Sequence, residues 1–228
     1  MMGKLIVANW KLNPLTEREA ISLSERIKQV SPYEVVLCPP LAFLNSVKYL
    51  HLGAQDVSPQ IKGPYTGQVS ASHLASLDVK YCIVGHSERR AMGERDDLIN
   101  QKLQALVHYK ITPILCVGYG TTVSQDELEV TDVLGSQLNQ DLDGIDPKKI
   151  IVAYEPVWAI GSGRAATPEH AEQIALYIQT KFGVKKVLYG GSVNSTNSEA
   201  FLSQHHIDGL LVGGASLLPD DFNKIIRA

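Results

Sequence analysis

Lys11, His86 and Glu155 are the side chains whose types could together move protons on an anionic substrate. Lys11 can supply a fixed positive charge. His86 can polarise a group or shuttle protons as a neutral imidazole. Glu155 can act as a general base. Taken singly, each has a plainer reading. A lone lysine at a loop is more often a solvated charge, a histidine can cap a helix start, and a glutamate can be paired structurally. All three, however, fall at the C-terminal ends of apolar strand-like runs, beside glycine-rich backbone.

Other polar residues sit at equivalent places. They are Asn9, Gln55, Asp56, Ser87, Glu88, Ser192, Asn194 and Ser216. Two double glycines, Gly190-Gly191 and Gly213-Gly214, end the last two runs. One such pair reads as a tight turn. Two on neighbouring strands favour a phosphate held by backbone N–H groups, because glycine lets the backbone come close to the anion.

The elements that must position these residues are apolar runs at 4–10, 34–39, 51–56, 80–87, 111–118, 149–156, 185–191 and 206–214. Most are continuous, not alternating, as suits parallel strands covered on both faces. Helical patterns fill the gaps. Thr16 with Glu19 forms a capping-box pattern, Thr167 precedes Pro168 at a helix start, and Asp220 is placed to cap a last short helix. Eight such units in 228 residues predict one (β/α)8 barrel spanning 1–228, in a compact version. The strand C-termini would then converge on one mouth. A doubly wound open sheet is the runner-up. It would place glycine-rich phosphate chemistry after the first strand, where this chain has Asn9-Trp10-Lys11.

Composition excludes several classes. With 44% hydrophobic and 20% charged residues the chain is not a disordered one. A net charge of -3 gives no global reason to expect nucleic acid. No apolar run reaches the roughly 18 residues of a membrane span, and the N-terminal run lacks a cleavage site. Cys38, Cys82 and Cys116 lie in apolar runs without Cys-x-x-Cys spacing, so a reduced, cytoplasmic protein is expected. The stretch Gly161-Ser162-Gly163-Arg164-Ala165-Ala166 matches G-x-G-x-x-A, but it does not directly follow a strand, and the nucleotide reading is rejected. No His/carboxylate cluster has ligand spacing and no Gly-x-Ser-x-Gly elbow follows a strand, so neither a metal nor a serine nucleophile is expected.

The motifs in order are AN9WK11LN, GAQ55D, YT66GQ, VGH86SE88RR, LC116VG, YE155PVWAIGSG, YGGS192VN and LVGG214ASL. Along its whole length the chain resembles the triosephosphate isomerase family. The resemblance implies interconversion of dihydroxyacetone phosphate and glyceraldehyde 3-phosphate, without metal or organic cofactor. It implies Glu155 as the carbon base, His86 as the group acting on the substrate oxygens, Lys11 as charge stabiliser and Asn9 as a positioning group. Backbone N–H groups of Gly161, Ser192, Gly213 and Gly214 would hold the phosphate, and Glu88 would organise Lys11. The stretch from Pro156 to Ala166 would close over the substrate, with Ile160 and Leu211 covering Glu155. A homodimer through the loop around Thr66 is implied as well.

Three features depart from the family pattern. Gln68 replaces a glutamate that pairs across the dimer with the arginine corresponding to Arg89. Tyr119 stands where a glutamate is usual, which points to a stability effect. The chain is also about 20 residues shorter than a usual barrel of roughly 250, mainly between Glu155 and Tyr189 and between Ser192 and Gly213. Other readings fare less well. An aldolase needs a Schiff-base lysine inside a strand, and an epimerase typically needs a metal or two opposed acids. A non-catalytic phosphosugar-binding barrel would not need Lys11, His86 and Glu155 together.

Overall fold

The apolar runs become strands because both of their faces find apolar cover. The computed structural model describes residues 3–159 and 165–228. In order, the elements are β1 (Leu5–Asn9), α1 (Glu17–Arg26), β2 (Glu34–Cys38), β3 (Gly53–Ala54), α2 (Ala71–Ser76), β4 (Tyr81–Val84), α3 (Ser87–Ala91) and α4 (Asp96–His108). They continue as β5 (Thr112–Val117), α5 (Glu127–Asp141), β6 (Ile151–Tyr154), α6 (Pro168–Phe182), β7 (Lys186–Tyr189), α7 (Ser198–Leu202), β8 (Gly209–Val212) and α8 (Pro219–Ile225).

The strands pair in parallel in the order β2-β1-β8-β7-β6-β5-β4-β3. A parallel bridge between Leu37 and Leu52, with the Leu37 N–H donating to His51 O at 3.1 Å, brings the two edges together. The result is the (β/α)8 barrel that the eight runs predict. The continuous apolar runs divide between two cores. Leu5, Val7, Val36, Ile83, Ile114, Ala153, Leu188 and Leu211 fill the barrel interior. Their neighbours Ile6, Ala8, Val35, Leu37, Val84, Leu115 and Val152 face outward onto the helices. Each fully buried aliphatic side chain contributes on the order of 1.5–3 kcal/mol of transfer free energy. The period-2 alternation is real but hidden, because both faces are apolar.

The capping signals act as read. The Thr16 hydroxyl accepts from the Glu19 N–H, and the Glu19 carboxylate accepts from the Thr16 N–H at 3.1 Å. Thr167 caps α6 with Pro168 at its first position, and Gly183 ends it in the left-handed conformation at φ 70°. Asp220 is a correction. Helix α8 starts one residue earlier, at Pro219, with Leu218 as its cap. Proline carries a φ already suited to the first helical position. Asp220 therefore lies in the first turn, where its charge meets the positive end of the helix dipole.

Strand β3 is shorter than its run, because Gln55 leaves the ladder to serve two carbonyls at the mouth. Between β2 and β3 the cover is a 3-10 turn at Leu41–Phe43, where a full helix would be usual. Helix α7 spans only 5 residues, whereas α6 keeps 15. The β2–β3 and β7–β8 crossovers are thus covered by short elements.

Candidate active site

Asn9 closes β1, and the chain then turns through Lys11 at φ 55°. The Asn9 side-chain oxygen accepts the Lys11 N–H at 3.0 Å, the kind of local bond that holds such a turn. Gln55 Nε2 donates to the carbonyls of Lys11 at 2.8 Å and Cys38 at 2.9 Å. The ends of three strands are thereby tied, and the Lys11 backbone is fixed. Its ammonium lies 2.6 Å from Glu88 Oε1, so Glu88 holds Lys11 in place.

His86 follows β4 and caps α3. Its Nδ1 accepts the Glu88 N–H at 3.2 Å. A ring nitrogen that accepts carries no proton, so the proton sits on Nε2. That Nε2 lies 3.0 Å from Glu155 Oε1. The helix cap and the contact with Glu155 therefore belong to the two nitrogens of one ring.

Glu155 follows β6, and its N–H donates to Val117 O at 2.8 Å. Its carboxylate is 2% exposed. Burial of a charge is costly unless it is hydrogen-bonded, and here two donors meet it. The Ser87 N–H, at the start of α3, donates to Oε2 at 2.9 Å, and His86 Nε2–H faces Oε1. Behind it, burial and then the charge of Glu155 push the Cys116 thiol well up. Gly190 lies alongside. A Cβ there would stand 3.0 Å from Glu155 Cγ and 3.3 Å from Tyr154 O, so the space is taken by the carboxylate's own stem.

Ser192 lies past β7, with its hydroxyl donating to the carbonyl of Ala159 in the segment that follows Glu155. Its side chain thus ties two loops, and its backbone N–H is what it can offer to an anion. Gly213 and Gly214 open a 3-10 turn at Gly214–Leu217. The first N–H groups of such a turn have no acceptor within it. The Ser216 hydroxyl, buried beneath, donates to Gly213 O at 2.7 Å and holds the turn.

Asn9, Lys11, His86, Glu155, Ser192, Gly213 and Gly214 line one cavity of about 520 Å3. Leu211 contributes an apolar wall beside Glu155. Gly161 and Ile160 lie outside the described residues. Among the described residues, no three His, Cys, Asp or Glu side chains are grouped as metal ligands, and no helix is long and apolar enough to cross a membrane.

One buried side chain beside the site has no counterpart in the sequence reading. Arg90 is 4% exposed, and its Nε donates to Gly85 O at 2.9 Å, directly before His86. Its Nη2 donates to Cys116 O at 3.2 Å and Asp141 Oδ2 at 2.7 Å. It locks the mouth ends of β4 and β5 together. Residue type alone cannot separate such an arginine from the solvated kind. Arg89, expected to lose a partner where Gln68 stands, pairs within its own chain with Asp56 and Glu94, each at 2.9 Å.

The sequence profile of the family described as Triosephosphate isomerase matches residues 4–228. A protein named triosephosphate isomerase from Rhodopirellula baltica is 42% identical over 248 aligned positions, covering 98% of this chain and 96% of the relative. One of the same name from an Azoarcus species is 40% identical over 245 positions, covering 100% of both chains. Another from Mesomycoplasma hyorhinis is 40% identical over 242 positions, covering 99% of this chain and 98% of the relative.

Proposed function

The chain belongs to the triosephosphate isomerase family and interconverts dihydroxyacetone phosphate and D-glyceraldehyde 3-phosphate, and we propose that Glu155, His86, Lys11 and Asn9 carry that reaction. Glu155 takes the proton from the carbon beside the carbonyl and returns it to the neighbouring carbon. His86 donates its Nε2–H to the carbonyl oxygen and passes protons between the two oxygens of the enediol. The Lys11 ammonium stabilises the phosphate and the charge that builds on the oxygens. Asn9 shares the same end of β1 and places the substrate oxygen. The N–H groups of Ser192, Gly213 and Gly214 cradle the phosphate at a turn start.

The observation that carries this reading is the pairing of His86 Nε2 with Glu155 Oε1 at 3.0 Å while Nδ1 is occupied by a backbone N–H. It yields a hydrogen-bond donor next to a buried carboxylate, facing a cavity that Lys11 also lines. Substrate would insert its oxygen between the two and release Glu155 toward carbon. The test is a coupled assay of glyceraldehyde 3-phosphate isomerisation without added metal. Glu155→Gln should lower kcat by roughly 100- to 10,000-fold. Turnover that survives in the variant would remove Glu155 as the base, and a folded wild type without turnover would leave a phosphate-binding barrel.

The protein is further read as one domain over 1–228 and as a cytoplasmic homodimer. Three buried free cysteines suit a reducing compartment. The dimer is supported by Leu12 and Leu15, 87% and 83% exposed, and by a neighbouring groove of about 350 Å3 lined by Leu12, Pro40, Leu41 and Gln68. The exposed loop around Thr66 of a second copy would seat there. Sedimentation should give twice the chain mass, and an active monomer would overturn the assignment.

A further inference from the structure

The machinery described so far uses only the C-terminal end of the barrel. At the opposite end the chain enters β4 to β7, and the entry residues Tyr81, Thr112, Ile151 and Lys186 line a second cavity of about 550 Å3. The two cavities are nearly equal in size, so their linings must say what each is for. The second is walled by three separate connections. Lys110 follows α4, Lys148 and Lys149 stand just before β6, and Lys185 and Lys186 open β7. Five of the chain's 21 lysines and arginines thus face one cavity, in a protein of net charge -3.

Among the described residues, none of the five is in an ion pair; the lysines that are so paired are Lys11, Lys80 and Lys102. Three carboxylates on the adjoining segments accept hydrogen bonds from neutral donors and keep their own charge. Asp146 accepts the Lys148 N–H at 3.0 Å, and Glu34 accepts the Tyr81 hydroxyl at 2.5 Å. Asp208 accepts the Val187 N–H at 2.9 Å and Gln179 Nε2 at 2.9 Å, although Lys186 is close enough for its charge to be felt there. Below the rim the floor is apolar, with Ile111 2% and Ile151 6% exposed.

Ammonium groups gathered round one cavity repel each other, and a multivalent anion relieves that repulsion. A single phosphate, with at most about two charges, leaves most of the set uncompensated. Lysine is a compact point charge on a flexible stem, so it can follow a chain of phosphates without the fixed fork of arginine. We propose that this N-terminal cavity binds a small anion bearing a chain of phosphates, gripped by Lys110, Lys148, Lys149, Lys185 and Lys186. The same chemistry is met in an inorganic polyphosphate and in a nucleoside triphosphate, whose base would rest on the apolar floor.

The test is an equilibrium titration of the full chain with inorganic triphosphate, inorganic phosphate and ATP. Saturating glycerol 3-phosphate keeps the catalytic mouth occupied. Triphosphate should bind saturably, one per chain, at least about tenfold more tightly than phosphate, and should weaken as salt rises. Lys148→Gln with Lys149→Gln should weaken it about tenfold or more while the isomerase rate stays that of the wild type. Lys110→Gln with Lys185→Gln, on two other connections, should do the same and serves if the first pair does not fold. Tighter binding of ATP than of triphosphate assigns the nucleoside form, and equal or weaker binding assigns the inorganic chain. Equal affinity for phosphate and triphosphate, unsaturable binding, or unchanged affinity in a folded variant would overturn the proposal.

Discussion

His86 caps a helix and meets a buried carboxylate with one ring, because each nitrogen has its own partner. Lys11 is similar: its backbone is held by Asn9 and Gln55, while its ammonium is held by Glu88. The Glu88 side chain is 56% exposed, with Oε1 on the Lys11 ammonium and Oε2 3.6 Å from His86 Nδ1. Glu88→Gln should therefore leave Lys11 charged but less well placed. We expect a fall in kcat/KM of about 10-fold, with little change in Tm, since exposed ion pairs are worth little in stability. Unchanged kinetics would mean that Lys11 is positioned by its backbone alone. Arg90, by contrast, works through Gly85 and Cys116, and replacing it would leave Asp141 buried without its cation.

At the scale of elements, the site depends on how closely strand ends approach. Gly190, directly after β7, packs its missing side chain against Glu155 Cγ at 3.0 Å. Gly190→Ala should displace Glu155 from the Ser87 N–H. If Glu155 is the base proposed above, the expected result is a fall in kcat of about 100-fold, in line with a roughly 1 Å misplacement, and only a modest fall in Tm. A variant with wild-type kcat would show that β7 can give way without moving the carboxylate. The caps act locally and independently of the mouth. Thr167→Ala, which removes the bond to the His170 N–H at 3.2 Å, should cost about 1 kcal/mol by chemical denaturation and leave kcat unchanged.

At the scale of the whole molecule, the charge buried outside the mouth sets a pH dependence. Burial pushes Asp141 up to about 7, against the pull of the Arg90 guanidinium beside it. An unfolded aspartate titrates near 4. Between about 4 and 7 the folded protein keeps a proton that the unfolded chain has released. Stability from this group is thus fully present below about 4 and is lost as pH rises toward 7, by at most about 1.4 kcal/mol per unit. Asp141→Asn should flatten that decline in a series of denaturation curves, and an unaltered slope would show that Asp141 is already ionised at pH 5. The two ends of the barrel also differ in kind. Among the described residues, the mouth is lined by Lys11 beside backbone donors, and the opposite cavity by five lysines over an apolar floor.

The sequence alone determined the barrel, the caps at Thr16 and Thr167, and the convergence of Asn9, Lys11, His86, Glu155, Ser192, Gly213 and Gly214. Those are local matters: an apolar run of given length, a hydroxyl before a helix, a polar residue at a strand's end. The helix start at Pro219 and the short β3 were less legible, since proline against aspartate, and ladder against side-chain bonding, are decided by neighbours. Tertiary structure alone decided that Glu155 rests on the Ser87 N–H, that Arg90 locks Gly85, that Arg89 pairs within its own chain, and that five lysines from three connections share a cavity. Each depends on segments far apart in the chain, and a backbone N–H or a spacing across a barrel has no residue type by which it could be read.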